Sequence, residues 1–373
     1  MIEIYPMKNF IIFWLTILII FTNGCGDNTE KLNPRTLLIV IDGLASGAIE
    51  KERLVHLQNW KKEGCFYETV ICPIPAHPDR SSGYSWSCSI PDPVMMTGTV
   101  FIGQSDIKNN MIQQAFGTKK TAFIVNDGTY DDISQGFDLY YNLKTSVEDL
   151  LKDELVVSKA EDVIKEENPS FMVLHLQGPG TAGLESTLPE NKKEEWYQDI
   201  LSDYSPYVQQ LKKDDQLIEE FINWLQYEGY WESTTLFITG NKGQADSGGC
   251  PPYDPASEKT EMLILGNNVK PGAKYDYAGL TDLAPTIVRI NNLSSMRYSG
   301  GRVLEEAFKG GSSEAGTEPS LKKLNEMLIS HQKSNSLPSD VSTGFLNIDH
   351  ICDWHTHINP VTIDEFIRYE EKH

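Results

Sequence analysis

The sequence predicts an α/β protein with a doubly wound, mostly parallel sheet and helices on both of its faces. Five short segments are almost entirely apolar and rich in β-branched residues, which is typical of strands buried on both faces of a sheet. Segments with helical spacing of apolar residues lie between them, and this alternation favours parallel strands. The chain of 373 residues is 40% apolar, which is enough to bury one large core.

The first segment of the chain is predicted to be a targeting sequence outside the fold. Lys8, which follows an alternative start at Met7, precedes an apolar run at residues 10–21 that has signal-peptide length and is too short for a comfortable membrane span. The run ends in TNGCG, which is similar to the lipobox of bacterial lipoproteins. Residues 1–25 are therefore expected to be a signal peptide and Cys25 the lipidated residue. Simple cleavage and an uncleaved anchor are the alternatives.

The signal-peptide and lipobox patterns predict where in the cell the protein is located. We expect the protein to be exported to the cell envelope and held on the extracytoplasmic side of the membrane through its lipid. The formal net charge of −21 excludes a nucleic-acid partner, because phosphate backbones are bound by clustered Lys and Arg side chains. Five cysteines remain besides Cys25, an odd number, and a bridge between Cys65 and Cys72 is the shortest local pairing. Buried thiols are the alternative.

The strands and helices follow in order along one domain, which is expected to span residues 35–308. The predicted strands are TLLIVID, TAFIVND, FMVLHL, TTLFIT and EMLILG. Helices are predicted over residues 146–167 and 214–230, and over TDLAPTIVRI, where Thr281 and Asp282 are typical capping residues. In the second helix five apolar residues share one face: Leu217, Ile218, Phe221, Trp224 and Leu225. A polar linker, one helix and a histidine-containing tail are expected in residues 309–373.

In a doubly wound sheet, ligands bind beyond the carboxyl ends of the strands. Four polar residues follow the predicted strands directly or within two positions, namely Asp42, Asp127, Gln177 and Asn241. We expect a functional site where these ends meet.

Five segments, taken in their order along the chain, resemble motifs of the alkaline phosphatase superfamily. This superfamily includes nucleotide pyrophosphatase/phosphodiesterases, sulfatases and phosphoethanolamine transferases. They are VIDG, SCSIPDPVMMTG, QGPGT, TGNKG and TDLAPTIVRI, and the resemblance covers about Arg35 to Phe308. It implies an alkaline-phosphatase-like fold and an ancestral activity on phosphoesters or sulfoesters. In that family two divalent metals, commonly zinc, flank a Ser, Thr or modified Cys nucleophile and are held by Asp and His side chains.

The resemblance assigns two positions directly. Asp42 matches the family's first metal-binding aspartate. The nucleophile is either Cys88, by its spacing from Thr97 and Gly98, or Ser89, by the pattern hydroxyl-x-Pro, and Ser89 is favoured. Sulfatases mature a cysteine within C-x-P-x-R. The residues after Cys88 lack that pattern, so its conversion to formylglycine is not expected.

The other ligand positions carry residues that bind zinc poorly. The family's D-x-x-G-H becomes Gln177 to Thr181, and its D-H-G becomes Asn241, Lys242 and Gly243. A further histidine position carries Cys250. Lys242 would bring a positive charge to a place that normally receives a divalent cation, and the two would repel each other.

These substitutions leave more than one hypothesis open. The favoured one is a non-catalytic pseudoenzyme in which Lys242, with Asn241, Gln177 and Thr181, binds a small anionic or glycan ligand. The alternative is an active phosphodiesterase-like or phosphatase-like hydrolase whose rebuilt, single-metal site uses Asp42, Ser89 and either Cys250 or Asp246. A purely structural surface lipoprotein is a third hypothesis.

A second group of metal-binding residue types lies near the end of the chain. His355 and His357 alternate, so they would share a face of a strand, and His350, Cys352 and Asp353 lie close by in the sequence. Folded over the strand ends, they would supply the imidazoles that the core lacks. The alternative is an exposed polar tail.

Overall fold

Nine strands form one mixed sheet in the part of the chain that the computed structural model describes. The described residues are 33–49, 54–72, 91–98, 111–127, 130, 133–250, 256–296, 299, 301–312 and 314–316. The strands are β1 (Arg35–Ile41), β2 (Cys65–Ile71), β3 (Thr121–Val125), β4 (Leu139–Asn142), β5 (Phe171–Leu176), β6 (Thr234–Gly240), β7 (Lys259–Gly266), β8 (Ala273–Tyr275) and β9 (Ala278–Gly279). The five predicted strands correspond to β1, β3, β5, β6 and β7.

The strand order is β4-β3-β5-β1-β6-β7-β2-β8, with β9 beside β2. Strands β4, β3, β5, β1 and β6 are mutually parallel, and β7 alone among the described strands runs against its neighbours. The predicted mostly parallel, doubly wound sheet is confirmed. In register, Ile41 pairs with Leu176 on one side and with Gly240 on the other, so the residues that follow these three meet at one edge.

Helices cover both faces of the sheet. They are α1 (Val55–Trp60), α2 (Pro91–Thr97), α3 (Ile112–Ala115), α4 (Asp153–Glu167), α5 (Gly178–Glu185), α6 (Pro206–Tyr227) and α7 (Leu283–Ile290). Short 3₁₀ turns occupy Glu148–Leu151, Pro189–Asn191, Trp231–Ser233, Leu280–Asp282 and Glu305–Ala307. Among the described residues, no helix combines the length and the apolar character needed to cross a membrane.

The alternation of side chains along β1 divides the core into two clusters. Leu37, Ile39 and Ile41 pack on the face that α4 and α6 cover, whereas Leu38 and Val40 pack on the face that α7 covers. All five side chains are at most 1% exposed. This two-sided burial explains why the strand sequences read as continuous apolar runs.

The helix boundaries differ from the predicted ones for local reasons. The helix predicted over residues 146–167 is interrupted at Lys152, whose backbone (φ −105°, ψ 62°) separates a 3₁₀ turn from α4. Helix α6 begins eight residues before the predicted start, because the hydroxyl of Ser205 accepts a hydrogen bond from the backbone N–H of Val208 and Pro206 fits the first helical position.

Of the two alternatives for Cys65 and Cys72, the structure shows buried thiols and not the local bridge. Both residues are buried thiols, at the first residue of β2 and just after its last residue. An extended strand places them roughly 20 Å apart, several times the separation of about 5.5 Å that a disulfide spans between Cα atoms.

A buried tyrosine of α6 holds the loop after β1 through two hydrogen bonds. We therefore expect its hydroxyl group to stabilise the protein. The Tyr207 hydroxyl donates a hydrogen bond to the carbonyl of Gly43 and accepts one from the N–H of Ala45, each at 2.7 Å. We expect Tyr207→Phe to lower the free energy of unfolding by about 1–3 kcal/mol, because both buried backbone groups lose their partner. Urea denaturation would measure the change, and the same substitution at Tyr204, which is 75% exposed, is the control. Equal stabilities would contradict this role.

Candidate functional site

The carboxyl ends of β5, β1 and β6 bring four sequence-predicted residues together. Gln177 follows β5, Asp42 follows β1, and Asn241 and Lys242 follow β6. These three strands are neighbours in the sheet, so residues that are about 200 positions apart in the chain come into hydrogen-bond contact.

Asp42 is the centre of this group. Its Oδ1 accepts a hydrogen bond from Asn241 Nδ2 at 2.7 Å and forms an ion pair with Lys242 Nζ. Its Oδ2 accepts a hydrogen bond from Gln177 Nε2 at 3.0 Å. Asp42 is 3% exposed and Lys242 is 7% exposed. The buried carboxylate is therefore neutralised and hydrogen-bonded by side chains of this chain.

The pKa of Asp42 lies below its ordinary value. Burial by itself would raise it, because a charged carboxylate loses its hydration. The positive charge of Lys242 opposes this, with smaller contributions from His175 and from the hydrogen bonds of Lys242 and Asn241, and together they prevail. Asp42 is consequently ionised at neutral pH.

Glycines let the backbone approach Asp42 closely. Gly43 has φ +65°, a left-handed conformation that suits glycine, and its N–H donates to Asn241 Oδ1 at 3.2 Å. A Cβ atom at Gly180, in the first turn of α5, would come within 1.6 Å of Asp42 Oδ2. Thr181 lies next to Gly180 in this turn, and its N–H donates to the carbonyl of Gln177 at 3.1 Å.

Two residues that were not assigned to the site contact it. Tyr130 donates a hydrogen bond from its hydroxyl to Gln177 Oε1 at 3.2 Å, which fixes the direction in which the Gln177 amide points. The Tyr130 ring lies 4.2 Å from the imidazole of His175, a buried residue of β5. The sequence position of Tyr130 could have indicated its place in the site, because it follows shortly after Val125, the last residue of β3, at the same edge of the sheet.

A second layer of buried carboxyl groups supports the turn before α5. Asp153 accepts hydrogen bonds from the N–H of Gly178 at 3.0 Å, from Gln210 Nε2 at 3.1 Å and from Asn126 Nδ2 at 3.1 Å. Asp214 is hydrogen-bonded to Asp153, and neither residue is exposed. Burial raises the pKa of both groups, that of Asp153 to about 6, and the charge of Asp153 raises that of Asp214 further. The pair therefore shares a proton.

The residues at the strand ends do not fit the two-metal centre that the family resemblance implies. Zinc prefers thiolate, imidazole and carboxylate ligands. Here two amides, Gln177 and Asn241, and the ammonium group of Lys242 surround the single carboxylate of Asp42. Within the described ranges, no group of three or more His, Cys, Asp or Glu side chains is placed to hold a metal.

Cys250 is not a metal ligand in this structure, contrary to the prediction. It is disulfide-bonded, so it has no thiolate to offer a metal. Asp246, the alternative ligand, is exposed and its backbone carbonyl accepts a hydrogen bond from Ile200. The rebuilt single-metal site thus loses one of its proposed ligands.

Several predicted residues lie outside the described part of the chain. They are the lipidation site Cys25, the candidate nucleophiles Cys88 and Ser89, and the tail residues His355 and His357. Their roles remain predictions.

The sulfatase family model matches residues 99–292, just over half of the chain. A comparison with curated protein sequences gives no match.

Solved structures of the same superfamily share the fold. A phosphonate monoester hydrolase from Silicibacter pomeroyi superposes with a TM-score of 0.54 at 13% identity over 77% of this chain and 78% of its own. The lipoteichoic acid synthase LtaP from Listeria monocytogenes gives 0.52 at 14% identity over 75% and 76%. A protein solved in complex with its substrate D-glucosamine-2-N,6-O-disulfate gives 0.55 at 12% identity over 75% and 81%. At these low sequence identities the similarity shows a shared fold only.

The Asp42–Lys242 ion pair generates a prediction that a double-mutant cycle can test. We expect Lys242→Met to lower the free energy of unfolding at pH 7 by about 3–5 kcal/mol, because it leaves the buried Asp42 carboxylate without its counter-charge. Asp42→Asn in the Lys242→Met background should restore much of this loss. Chemical denaturation would measure all four proteins. Additive effects of the two substitutions would contradict a direct ion pair.

The raised pKa values of Asp153 and Asp214 predict a pH dependence. A carboxyl group whose pKa is higher in the folded state stabilises the fold fully below its unfolded value, near 3.8, and this contribution is lost as the pH rises, through about 6 for Asp153 and through the raised pKa of Asp214. Asp214→Asn mimics the protonated acid and still donates to Asp153. We expect it to match the wild type at pH 4 and to exceed its free energy of unfolding by on the order of 2 kcal/mol at pH 8.

Urea denaturation at pH 4, 6 and 8 would measure this difference. Asp203→Asn, the same change at an exposed position, is the control. Parallel stability profiles of the wild type and Asp214→Asn would show that the pair does not share a proton.

Proposed function

The chain belongs to the sulfatase family, within the alkaline phosphatase superfamily, and we propose that it is a non-catalytic member that binds a small anionic glycan at its strand ends. The observation that carries this proposal is the buried ion pair between Lys242 and Asp42. It places an ammonium group where the family resemblance assigns a metal.

The charges of Lys242 and Asp42 at the strand ends support a loss of catalytic activity. A pair of metals polarises the ester, lowers the pKa of the nucleophile and stabilises the attacking and leaving oxygens. A single ammonium group that already neutralises Asp42 supplies none of these at comparable strength, and a serine hydroxyl such as that of Ser89 is a weak nucleophile without activation. A metal would also have to displace Lys242 from Asp42 against electrostatic repulsion.

Retention of a ligand follows from the hydrogen-bonding groups that remain. The ammonium group of Lys242 has three N–H donors, and its contact with Asp42 uses one of them. Gln177 and Asn241 hold Asp42 from the other directions, so the Lys242 side chain has a fixed position. Its remaining donors suit a sulfate or phosphate oxygen, and the structural neighbour that binds a sulfated glucosamine supports this class of ligand.

Export and membrane attachment are part of the same proposal. The signal-peptide pattern of residues 1–25 and the lipobox at Cys25 support a lipoprotein on the extracytoplasmic side of the membrane. The disulfide at Cys250 supports this location, because disulfides persist in oxidising compartments.

Metal content and ligand binding together test the proposal. We expect the purified protein to hold no stoichiometric zinc after dialysis and to leave aryl sulfate and phosphate esters intact when zinc is added. We expect the double variant Asn241→Asp, Lys242→His to acquire zinc, because it joins two new ligands to Asp42. Plasma mass spectrometry and a colorimetric ester assay are the measurements.

Calorimetric titration with D-glucosamine 6-sulfate tests the ligand. We expect binding that Lys242→Met weakens by about tenfold, and weaker binding of unsulfated D-glucosamine. Arg289→Met, which removes an exposed cation elsewhere, is the matched control. Stoichiometric zinc in the wild type, with ester hydrolysis that Ser89→Ala abolishes, would establish the active-hydrolase alternative.

A further inference from the structure

A groove with two tryptophans lies at the edge of the sheet opposite to the Asp42–Lys242 site. Its volume is about 570 Å³, within the range of small-molecule sites. Trp60 at the end of α1, Trp231 in the turn before β6, and Gly266 at the end of β7 contribute to its wall. Because Gly266 pairs with Thr235 near the start of β6, this edge is roughly 20 Å from the carboxyl ends of the parallel strands. We propose that the groove binds an uncharged oligosaccharide.

The two indole rings provide the apolar part of the site. Their centroids are 5.7 Å apart and their planes are inclined by 49°, so the rings form an angled wall and not a closed stack. Both side chains are half-buried, and Trp60 Nε1 donates a hydrogen bond to Glu219, which fixes its ring. A sugar ring has a face of C–H groups that packs against an indole by dispersion. The rigid, angled wall suits two adjoining sugar units.

Polar side chains surround the rings. Asn59, Glu63 and Gln226 line the groove, are exposed, and form no side-chain hydrogen bond within the described part of the chain. Amide groups both donate and accept hydrogen bonds, and carboxylates accept them, as the hydroxyl groups of a sugar require. The groove therefore combines an aromatic wall with unused hydrogen-bonding capacity.

The charges of the groove select against anionic ligands. Among the described residues of the lining, Glu63 and Glu219 contribute two carboxylates and Lys309 the single cation, whose Nζ donates to the carbonyl of Asn267 at 2.6 Å. This excess of negative charge disfavours sulfate and phosphate esters. The preference is opposite to that proposed for Lys242, so the two sites would bind different parts of a glycan or different glycans.

Calorimetric titration of the full chain with cellobiose, maltose and N,N′-diacetylchitobiose tests the proposal. We expect at least one of these uncharged disaccharides to bind, and Trp231→Ala to weaken its binding by about tenfold. Trp224→Ala is the matched control, since Trp224 is also half-buried but packs against Phe221 and Tyr230 and does not line the groove. Thermal denaturation would show that both variants fold.

A second variant tests the groove without changing a half-buried side chain on which folding could depend. Asn59→Ala with Gln226→Ala changes only exposed side chains without hydrogen-bond partners among the described residues, and we expect it to weaken binding by about threefold or more. An excess of D-glucosamine 6-sulfate, the ligand proposed for the Lys242 site, should leave the binding of the uncharged disaccharide unchanged, which separates this inference from the proposed function.

Three results would overturn the proposal. The first is no binding of any of the three disaccharides up to about 10 mM, a limit that corresponds to negligible affinity. The second is equal binding by the wild type, Trp231→Ala and the rim variant. The third is a concentration-dependent dimer that Trp231→Ala abolishes, because the groove would then be an interface between two copies of the chain.

Discussion

The buried carboxylate of Asp42 is the constraint on which the rest of the site depends. A charged group that is 3% exposed requires a counter-charge and hydrogen bonds, since the cost of its lost hydration would otherwise favour a protonated acid or an unfolded chain. Lys242 supplies the charge, and Asn241 and Gln177 supply the hydrogen bonds. Asp42, Lys242, Asn241 and Gln177 thus form one unit in which charge and hydrogen bonds compensate for burial.

The surrounding structure holds this unit in place through polar contacts from several elements. Tyr207 of α6 binds the backbone on both sides of Leu44, Tyr130 orients Gln177, and Asp153 holds the N–H of Gly178. Most of these groups are buried, so each contact replaces hydration that was lost on folding. Packing and hydrogen bonds between side chains and backbone therefore stabilise the sheet around these strand ends.

The two edges of the sheet have different chemistry. Among the described residues, the carboxyl edge carries a neutralised ion pair, whereas the amino edge carries two tryptophans and an excess of carboxylates. Under the proposals made above, the first edge would bind an anionic ligand and the second an uncharged one.

Residue types and their spacing were sufficient to predict the layers of the fold and the edge of the sheet at which the site lies. Strands buried on both faces need continuous apolar runs, so β1, β3, β5, β6 and β7 were visible in the sequence, and the polar residues after the four parallel strands β1, β3, β5 and β6 marked the carboxyl edge. Sequence alone gave neither the partners of each side chain nor the contribution of Tyr130, and it suggested a Cys65–Cys72 bridge that strand geometry forbids. The ion pair of Lys242 with Asp42, the bonded state of Cys250 and the angle between Trp60 and Trp231 were decided only by the tertiary structure. These features depend on distances of a few ångströms between residues far apart in the chain, and residue types and local spacing do not encode such distances.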